Sequence, residues 1–162
     1  MLTWARSARR MGVAAAIAAA VITTAGVGSL TATANAAVGT PVDEAGGHTG
    51  MCSSVVCLYF NSPGHSWGAI WQNNNLTVPD LAGQFFSFNP GAPNGAGGNG
   101  ASVPVKNNAG GVENDTTNAT DFIYFNSQRF GWGNFDYVLP QQSGELVTTK
   151  NNDAAFSIFL QD

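Results

Sequence analysis

An aromatic element occurs twice in this chain, and the repeat restricts the fold more than any other feature. Leu58 to Gly68 reads LYFNSPGHSWG and Ile123 to Gly133 reads IYFNSQRFGWG, with six of eleven positions identical and no gap. Chance alone gives about one identity over such a length. The Trp-Gly pair also stands at the same distance from Tyr-Phe-Asn-Ser in both copies. The repeat therefore predicts a fold made of two similar halves.

A second element repeats downstream of the first and in the same order. VKNNAGGV at 105–112 is echoed by TKNNDAAF at 149–156. The two elements of the first half are separated by 21 more residues than those of the second half. Most of this surplus is NPGAPNGAGGNGA at 89–101, which has the composition of a flexible surface loop. We expect halves at 51–117 and 118–162, with an insertion at 89–101.

Short strands are predicted throughout the part of the chain that contains the repeats. The β-branched and aromatic runs Val55 to Phe60 and Phe122 to Phe125 both stop at Asn-Ser, and apolar residues alternate from Ala155 to Leu160. Strands that return near each Lys-Asn-Asn element are typical of a Greek key, and two facing Greek keys bury one shared core. The predicted fold class is therefore all-β, a sandwich of two Greek-key motifs.

Residues 1–36 have the pattern of an export signal. Basic residues precede an apolar stretch that is short and rich in Ala and Gly, and Ala34-Asn35-Ala36 matches a small-x-small cleavage site. We expect the secreted, extracellular chain to begin at Ala37 and residues 37–50 to form a flexible segment. A retained membrane anchor is the alternative interpretation of the apolar stretch.

Removal of this signal would leave a strongly acidic protein. All ten Asp and Glu residues follow residue 36, whereas only Lys106, Arg129 and Lys150 among the basic residues do, which gives a net charge of −7. Such a chain has no basic surface for nucleic acid or for anionic lipid. We therefore expect no nucleic-acid partner, no membrane contact once the signal is removed, and a single-domain monomer.

Cys52 and Cys57 are the only cysteines of the chain. An even number of cysteines in an exported protein predicts a disulfide, because the extracellular side is oxidising. Zinc binding would need two further ligands, and His48 and His65 do not supply them at a recognisable spacing. So short a loop should stabilise the fold by only about 2 kcal/mol.

Motifs that indicate catalysis are missing from the sequence. His48 lies in GGHTG and His65 lies in the turn of the first repeat, and neither has a neighbour that would orient it as a catalytic base. The sequence contains no phosphate-binding loop, HExxH motif or nucleophile elbow. We predict that the protein is not an enzyme and has no catalytic residues.

Three segments carry a resemblance to a known family. CSSVVCLYFNS, the second IYFNS and the terminal NNDAAFSIF resemble secreted actinobacterial peptidase inhibitors of the Streptomyces metalloproteinase-inhibitor type, whose fold is similar to that of the βγ-crystallins. The resemblance covers residues 51–162. It implies a βγ-crystallin-like sandwich, export, and inhibition of an extracellular peptidase by a loop that enters the enzyme cleft. The prototype's second disulfide has no counterpart after Cys57, so no inhibitory bond can be assigned.

An inhibitory loop should hold its bound shape in advance, because ordering each residue on binding costs about 1–2 kcal/mol. The glycine-rich insertion at 89–101 is a poor candidate on this ground. The tighter turns Asn61 to Trp67 and Gln128 to Trp132 would be better preorganised. The sequence does not favour either turn over the other.

Calcium binding is the alternative function that the resemblance implies. βγ-Crystallins bind calcium through two Asn or Asp residues followed, after two free positions, by two hydroxyl residues, all supplying oxygen ligands. Both repeats of this chain lack the hydroxyl residues, so we expect weak calcium binding or none. The candidate ligands are Asn107, Asn108, Asn151, Asn152 and Asp153. A degenerate calcium-binding or structural protein is thus the runner-up, and an antimicrobial toxin-like protein is less favoured because the chain is acidic.

Overall fold

The computed structural model describes residues 36–47 and 49–161. The predicted signal peptide, apart from Ala36, and His48 lie outside the described residues. The compact unit spans Ala37–Asp162. In the described part of the chain, no helix has both the length and the apolar character needed to cross a bilayer.

Within the described residues, ten β-strands form two sheets of five strands each, which confirms the all-β prediction. The strands are β1 (Gly39–Pro41), β2 (Asp43–Gly47), β3 (Val56–Tyr59), β4 (Ile70–Asn73), β5 (Thr77–Val78), β6 (Gly111–Asn114), β7 (Ala119–Tyr124), β8 (Phe135–Val138), β9 (Gln142–Glu145) and β10 (Ala155–Leu160). Three 3-10 helices connect them: η1 (Pro63–His65), η2 (Pro93–Gly98) and η3 (Gln128–Phe130).

Each half of the chain contributes strands to both sheets. Sheet A has the order β1-β8-β7-β10-β5, and sheet B has the order β2-β9-β6-β3-β4. Strands β3 to β6 come from the first half and β7 to β10 from the second half. The third strand of each half, β5 or β9, pairs with the last strand of the other half. The two halves are thus joined by exchanged strands and cannot separate without breaking both sheets.

The two Lys-Asn-Asn elements contact each other through equivalent hydrogen bonds. The amide of Asn107 donates to the carbonyl oxygen of Asp153 at 2.8 Å, and the amide of Asn151 donates to the carbonyl oxygen of Ala109 at 2.9 Å. Asn107 and Asn151 both have left-handed backbone conformations, with φ of 65° and 56°. Asn tolerates this conformation better than most residues, which explains its presence at both positions.

The core lies between the two sheets and is built from the inward side chains of alternating strand positions. Burial of each large apolar side chain contributes about 1.5–3 kcal/mol. The large apolar residues of this core are Val42, Val56, Leu58, Trp71, Leu81, Phe86, Val105, Val112, Ile123, Val138, Leu146 and Phe156. Because both halves supply these residues, the core is shared.

The segment 37–50, which we expected to be flexible, supplies an outer strand to each sheet. Strand β1 pairs in parallel with β8, and β2 pairs antiparallel with β9 with a shift between Asp43 and Gly46. The added strands satisfy backbone groups that would otherwise be open at the two sheet edges.

The insertion at 89–101 packs against the first half instead of forming an open loop. The amide of Ala69 donates to the carbonyl oxygen of Asn99 at 2.8 Å, and the buried side chain of Asn89 donates to the carbonyl oxygen of Gly68 at 3.1 Å. A side chain at Gly97 would lie 1.8 Å from the carbonyl oxygen of Asn89. The glycines of this segment therefore permit close backbone packing.

Candidate functional site

The turn of the second repeat is an exposed and internally hydrogen-bonded structure. Gln128, Arg129, Phe130 and Gly131 are all exposed. The amides of Phe130 and Gly131 donate to the carbonyl oxygens of Ser127 and Gln128 at 2.9 and 3.0 Å. Phe130 is 66% exposed, and the guanidinium of Arg129 lies 4.6 Å from the centre of its ring. A fixed backbone therefore presents one cation and one aromatic ring.

A further hydrogen bond ties this turn to the first half of the chain. The amide of Gln128 donates to the carbonyl oxygen of Pro79 at 2.9 Å. The equivalent position in the first turn is Pro63, which has no amide hydrogen to donate. The tie therefore exists only in the second turn.

The turn of the first repeat has the same backbone and different side chains. The amide of His65 donates to the carbonyl oxygen of Ser62 at 3.0 Å, and the Ser62 hydroxyl lies 3.0 Å from Nδ1 of the same histidine. The other residues of the turn are Pro63, Gly64 and Ser66, which carry little side-chain surface. Of the two turns that sequence left equivalent, the second thus has the larger recognition surface.

One cleft lies beside each turn, and residues of both halves line it. The cleft at the second turn, which we call cleft 1, has a volume of about 250 Å³. Its lining includes Lys106, Asn107, Phe125, Asn126, Ser127, Phe130, Asn152 and Ala154. The Ser127 hydroxyl is buried and has no hydrogen-bond partner. Buried hydroxyls are normally paired, so this unpaired one is an exception among the residues of the cleft.

The cleft at the first turn, cleft 2, has a volume of about 280 Å³. Its lining includes Phe60, Asn61, Ser62, His65, Gly110, Lys150 and Asn151. In cleft 2 the Ser62 hydroxyl already has a hydrogen-bond partner in His65. In cleft 1 the position of His65 is taken by Phe130, whose ring has no hydrogen-bonding group for Ser127. The two clefts therefore differ in free hydrogen-bonding capacity although their walls correspond.

The five predicted calcium ligands are divided between these clefts and the backbone around them. Asn107 and Asn152 line cleft 1, and Asn151 lines cleft 2. The side-chain amides of Asn108 and Asn152 donate to the carbonyl oxygens two residues before them, at 3.0 and 3.2 Å, as Asn does in turns. The sequence therefore identified residues of both clefts, but not a single group of five ligands.

The residues around cleft 1 do not fit calcium well. Its oxygen donors are amide and hydroxyl groups, and Lys106 places a positive charge on its wall. The Lys106 ammonium is paired with Asp80 at 2.7 Å, and this hydrogen bond lowers the pKa of the aspartate. Within residues 36–47 and 49–161, no three His, Cys, Asp or Glu side chains lie close enough to hold a metal ion. Calcium usually binds where carboxylates supply charge.

Asp153 lies behind the clefts, not on their surface. It is fully buried, and one carboxyl oxygen accepts the amide hydrogen of Ala109 at 2.9 Å. Its other carboxyl oxygen has no hydrogen-bond partner. Burial raises the pKa of this carboxyl to about 7, so the group is largely neutral in mildly acidic solution. Asp153 thus braces the Lys-Asn-Asn elements.

Asp121 is a second buried carboxyl, and no motif of the sequence marks it. It lies on β7 facing the core, and neither carboxyl oxygen has a hydrogen-bond partner. Burial raises its pKa to about 8. The aligned repeats held a signal that identifies it, because the equivalent residue of the first copy is the core residue Val56.

The predicted disulfide between Cys52 and Cys57 is present, with Cα atoms 5.7 Å apart. It covers the outer face of sheet B. A separate apolar cluster there contains Met51, Cys52, Cys57, Tyr59, Trp67 and Ile70. At its border, the fully buried Glu113 accepts hydrogen bonds from the amide and hydroxyl of Thr49 and from the Tyr59 hydroxyl, at 2.5–2.7 Å. Burial and this carboxylate raise the pKa of Tyr59.

These features define an all-β architecture of two five-stranded sheets with one local disulfide and two exposed turns. A comparison with protein-family models, with curated proteins and with solved structures finds no match to this chain. The features of this chain that bear on function are therefore the geometry of its turns and clefts and the resemblance that its sequence carries.

Proposed function

We propose that this protein is a secreted, monomeric inhibitor of an extracellular peptidase, built on a βγ-crystallin-like pair of Greek keys. The exchange of the third strand between halves supports the two-motif interpretation. The resemblance of the sequence supports the inhibitor class. The observation that most strongly supports the proposal is the exposed, internally hydrogen-bonded turn from Gln128 to Gly131.

The turn meets the main energetic requirement for an inhibitory segment. Its backbone is held by hydrogen bonds to Ser127, Gln128 and Pro79, so little conformational entropy is lost on binding. Phe130 supplies an apolar ring that a hydrophobic specificity pocket can bury, and burial of a single exposed aromatic ring is a common source of binding energy.

The backbone conformation specifies how the turn would block an enzyme. Residues Gln128–Phe130 form a 3-10 helix and are not extended like a peptide aligned for cleavage. The turn would therefore occlude the cleft with its side chains. The peptide bond between Arg129 and Phe130 should remain intact during inhibition.

The test measures the residual activity of a thermolysin-like and a subtilisin-like peptidase with increasing amounts of the purified protein. We expect inhibition of at least one enzyme at micromolar concentration. Phe130→Ala should weaken it about tenfold, because the buried ring is lost. His65→Ala, at the equivalent position of the first turn, should leave it unchanged. Mass spectrometry should find the bond after Arg129 uncut.

Two results would overturn the proposal. If neither class of peptidase is inhibited, the inhibitor function fails. If His65→Ala weakens inhibition as much as Phe130→Ala does, the assignment to the second turn fails and inhibition arises elsewhere.

A degenerate calcium-binding or structural role is the second candidate: the lining of cleft 1 does not fit calcium well, but the unpartnered Ser127 hydroxyl adds one oxygen to those of the Asn side chains there. In this role the hydroxyl and the amide oxygens of Asn107 and Asn126 would contact the cation. Calcium should then raise the melting temperature, and Ser127→Ala should abolish the rise. A melting temperature that does not respond to millimolar calcium removes calcium binding and leaves only the structural role.

A further inference from the structure

The outer face of sheet A carries a continuous aromatic surface. Asp121 and Ile123 of β7 point into the core, so the alternate residues Phe122 and Tyr124 point outward. The same alternation places Phe135 and Tyr137 of β8 and Phe159 of β10 on the outward side. Trp132, from the second Trp-Gly pair, packs against Tyr124. We call this surface the aromatic face. Its rings are Phe122, Tyr124, Trp132, Phe135, Tyr137 and Phe159.

Four of the six rings of the aromatic face form one connected group of contacts. Phe122 and Tyr124 lie nearly parallel, with centres 6.4 Å apart and planes at 24°. Phe135 lies 5.3 Å from the first ring and 5.7 Å from the second, and Trp132 lies 4.4 Å from Tyr124. A Cβ on Gly39 would be 2.4 Å from the Phe135 ring, so that ring lies directly against strand β1. The face is therefore a platform and not a pocket.

Charge is missing from this platform although the protein is acidic. The other outward positions of the described sheet A residues hold small or hydroxyl residues and no charged side chain. They are Gly39, Pro41, Thr77, Thr120, Ala155 and Ser157. The Tyr124 hydroxyl lies 3.0 Å from the Ser157 hydroxyl, which places hydrogen-bonding groups among the rings.

The chain covers the corresponding surface of the other sheet but leaves this one open. Tyr59 and Trp67 of the first repeat are 0% and 9% exposed beneath Met51 and Cys52. Their equivalents on the aromatic face are half-buried, and Phe159 at its end is 65% exposed. Rings kept at a surface when the fold has a means of covering them indicate a binding role.

We propose that the aromatic face binds a neutral polysaccharide. A sugar ring has an apolar face of C–H groups that packs on an aromatic ring, and equatorial hydroxyls at its rim that can pair with groups such as the Tyr124 and Ser157 hydroxyls. An uncharged polymer avoids the repulsion that an anionic one meets from a chain of net charge −7 after residue 36.

The area of the aromatic face also favours a polysaccharide over a second copy of this chain as the binding partner. With one ring mostly exposed and five half-buried, the face offers on the order of 400 Å². A stable interface between proteins needs roughly 800 Å² from each partner. Two acidic copies would also repel each other. Binding to a polysaccharide is independent of the inhibitor proposal and would retain the exported protein on a carbohydrate matrix.

The test mixes the purified protein with insoluble cellulose and with chitin, and measures its migration in native gels that contain soluble xylan. We expect retention by at least one of these neutral polymers. Phe122→Ala and Phe159→Ala should each weaken retention about tenfold, because each removes an aromatic ring from the contact. Tyr124→Phe, which keeps the ring and loses the hydroxyl, should have a smaller effect.

Phe85→Ala is the matched control, because Phe85 is 55% exposed and lies in the first half, away from the aromatic face. It should leave retention unchanged. Phe159 is exposed enough that its removal should not affect folding, so it tests the proposal even if Phe122→Ala lowers stability.

Three results would overturn the proposal. The first is no retention by any of the neutral polymers. The second is an equal loss of retention in the Phe85→Ala control. The third is self-association, detected by sedimentation, that disappears in Phe159→Ala, which would assign the face to a second copy of this chain.

Discussion

The two halves hold an equivalent aromatic pair in different surroundings. Tyr59 and Trp67 have ring centres 4.7 Å apart under the disulfide segment, and Tyr124 and Trp132 have centres 4.4 Å apart at the surface of sheet A. The turn between the two rings has equivalent hydrogen bonds within its 3-10 helix in both copies, and only the second turn is also bonded to Pro79. The comparison shows that the repeat preserves the backbone while the side chains around it have diverged.

The two halves differ in which of their surfaces are covered. In the second half the turn carries Arg129 and Phe130, where the first turn has Gly64 and His65. The outer sheet face is open, and the core contains the unpaired carboxyl Asp121. The first half instead has the insertion and the disulfide, both of which cover surface. The first half is therefore the more closed structure and the second half the more exposed.

The largest predicted effect concerns the core position at which the halves differ. Asp121 occupies the position that Val56 occupies in the first half. Asp121→Val makes the two positions identical and removes an unpaired carboxyl from the core. Because burial raises the pKa of Asp121 to about 8, the folded state binds a proton that the unfolded state releases above pH 4. Stability of the native chain should therefore fall as the pH rises from about 4 to about 8.

Asp121→Val should accordingly stabilise the protein by on the order of 3–5 kcal/mol at pH 8, and by much less at pH 4. Denaturant unfolding at pH 4, 6 and 8 measures this. Asp121→Asn is the control, since it removes the titration but keeps an unpaired polar group. A weaker slope of the same sign should remain below pH 7 from Asp153. A native chain whose stability is constant from pH 4 to pH 8 contradicts this account.

The tryptophans give an intermediate effect. Trp67→Ala should cost about 3–5 kcal/mol, as for other buried aromatic residues. Trp132→Ala should cost about 2 kcal/mol less, because its ring is only half-buried. The free energy of unfolding of the two variants provides the measurement. Equal losses would show that the two surroundings are energetically alike.

The smallest effect concerns the serines of the two clefts. Ser62→Ala should cost about 1 kcal/mol, because it removes the contact with His65. Ser127→Ala should be neutral or slightly stabilising, since its hydroxyl has no partner. Urea unfolding of both variants under one condition makes the comparison. A larger loss in Ser127→Ala than in Ser62→Ala would mean that the Ser127 hydroxyl is already paired in solution.

Much of the fold could be predicted because the same strand and turn pattern occurs in both halves of the sequence. The strands around Tyr59 and Tyr124 and the Cys52–Cys57 bridge follow from local composition and spacing. The insertion at 89–101 was expected to be flexible because glycine content also marks open loops. Its packing depends on contacts with distant residues such as Ala69, which composition does not reveal.

The site could be predicted only in part. Both turns were recognisable, but their sequences do not show which one is more exposed. The role of Asp136 was also hidden, although it accepts hydrogen bonds from the backbone amides of Val147, Thr148 and Thr149 at 2.8–3.0 Å. Its counterpart in the first half is Trp71, a core residue. A carboxylate that organises a loop eleven residues away gives no local pattern.

The sequence by itself determined the two halves, their all-β character and the disulfide, because these depend on residue type and short spacing. Only the tertiary structure decided that the halves exchange β5 and β9, that residues 39–47 add an outer strand to each sheet, and that one aromatic pair is covered while the other is open. Burial and charge environment are properties of neighbours far apart in the chain. Equivalent residues in a repeat can therefore meet different surroundings.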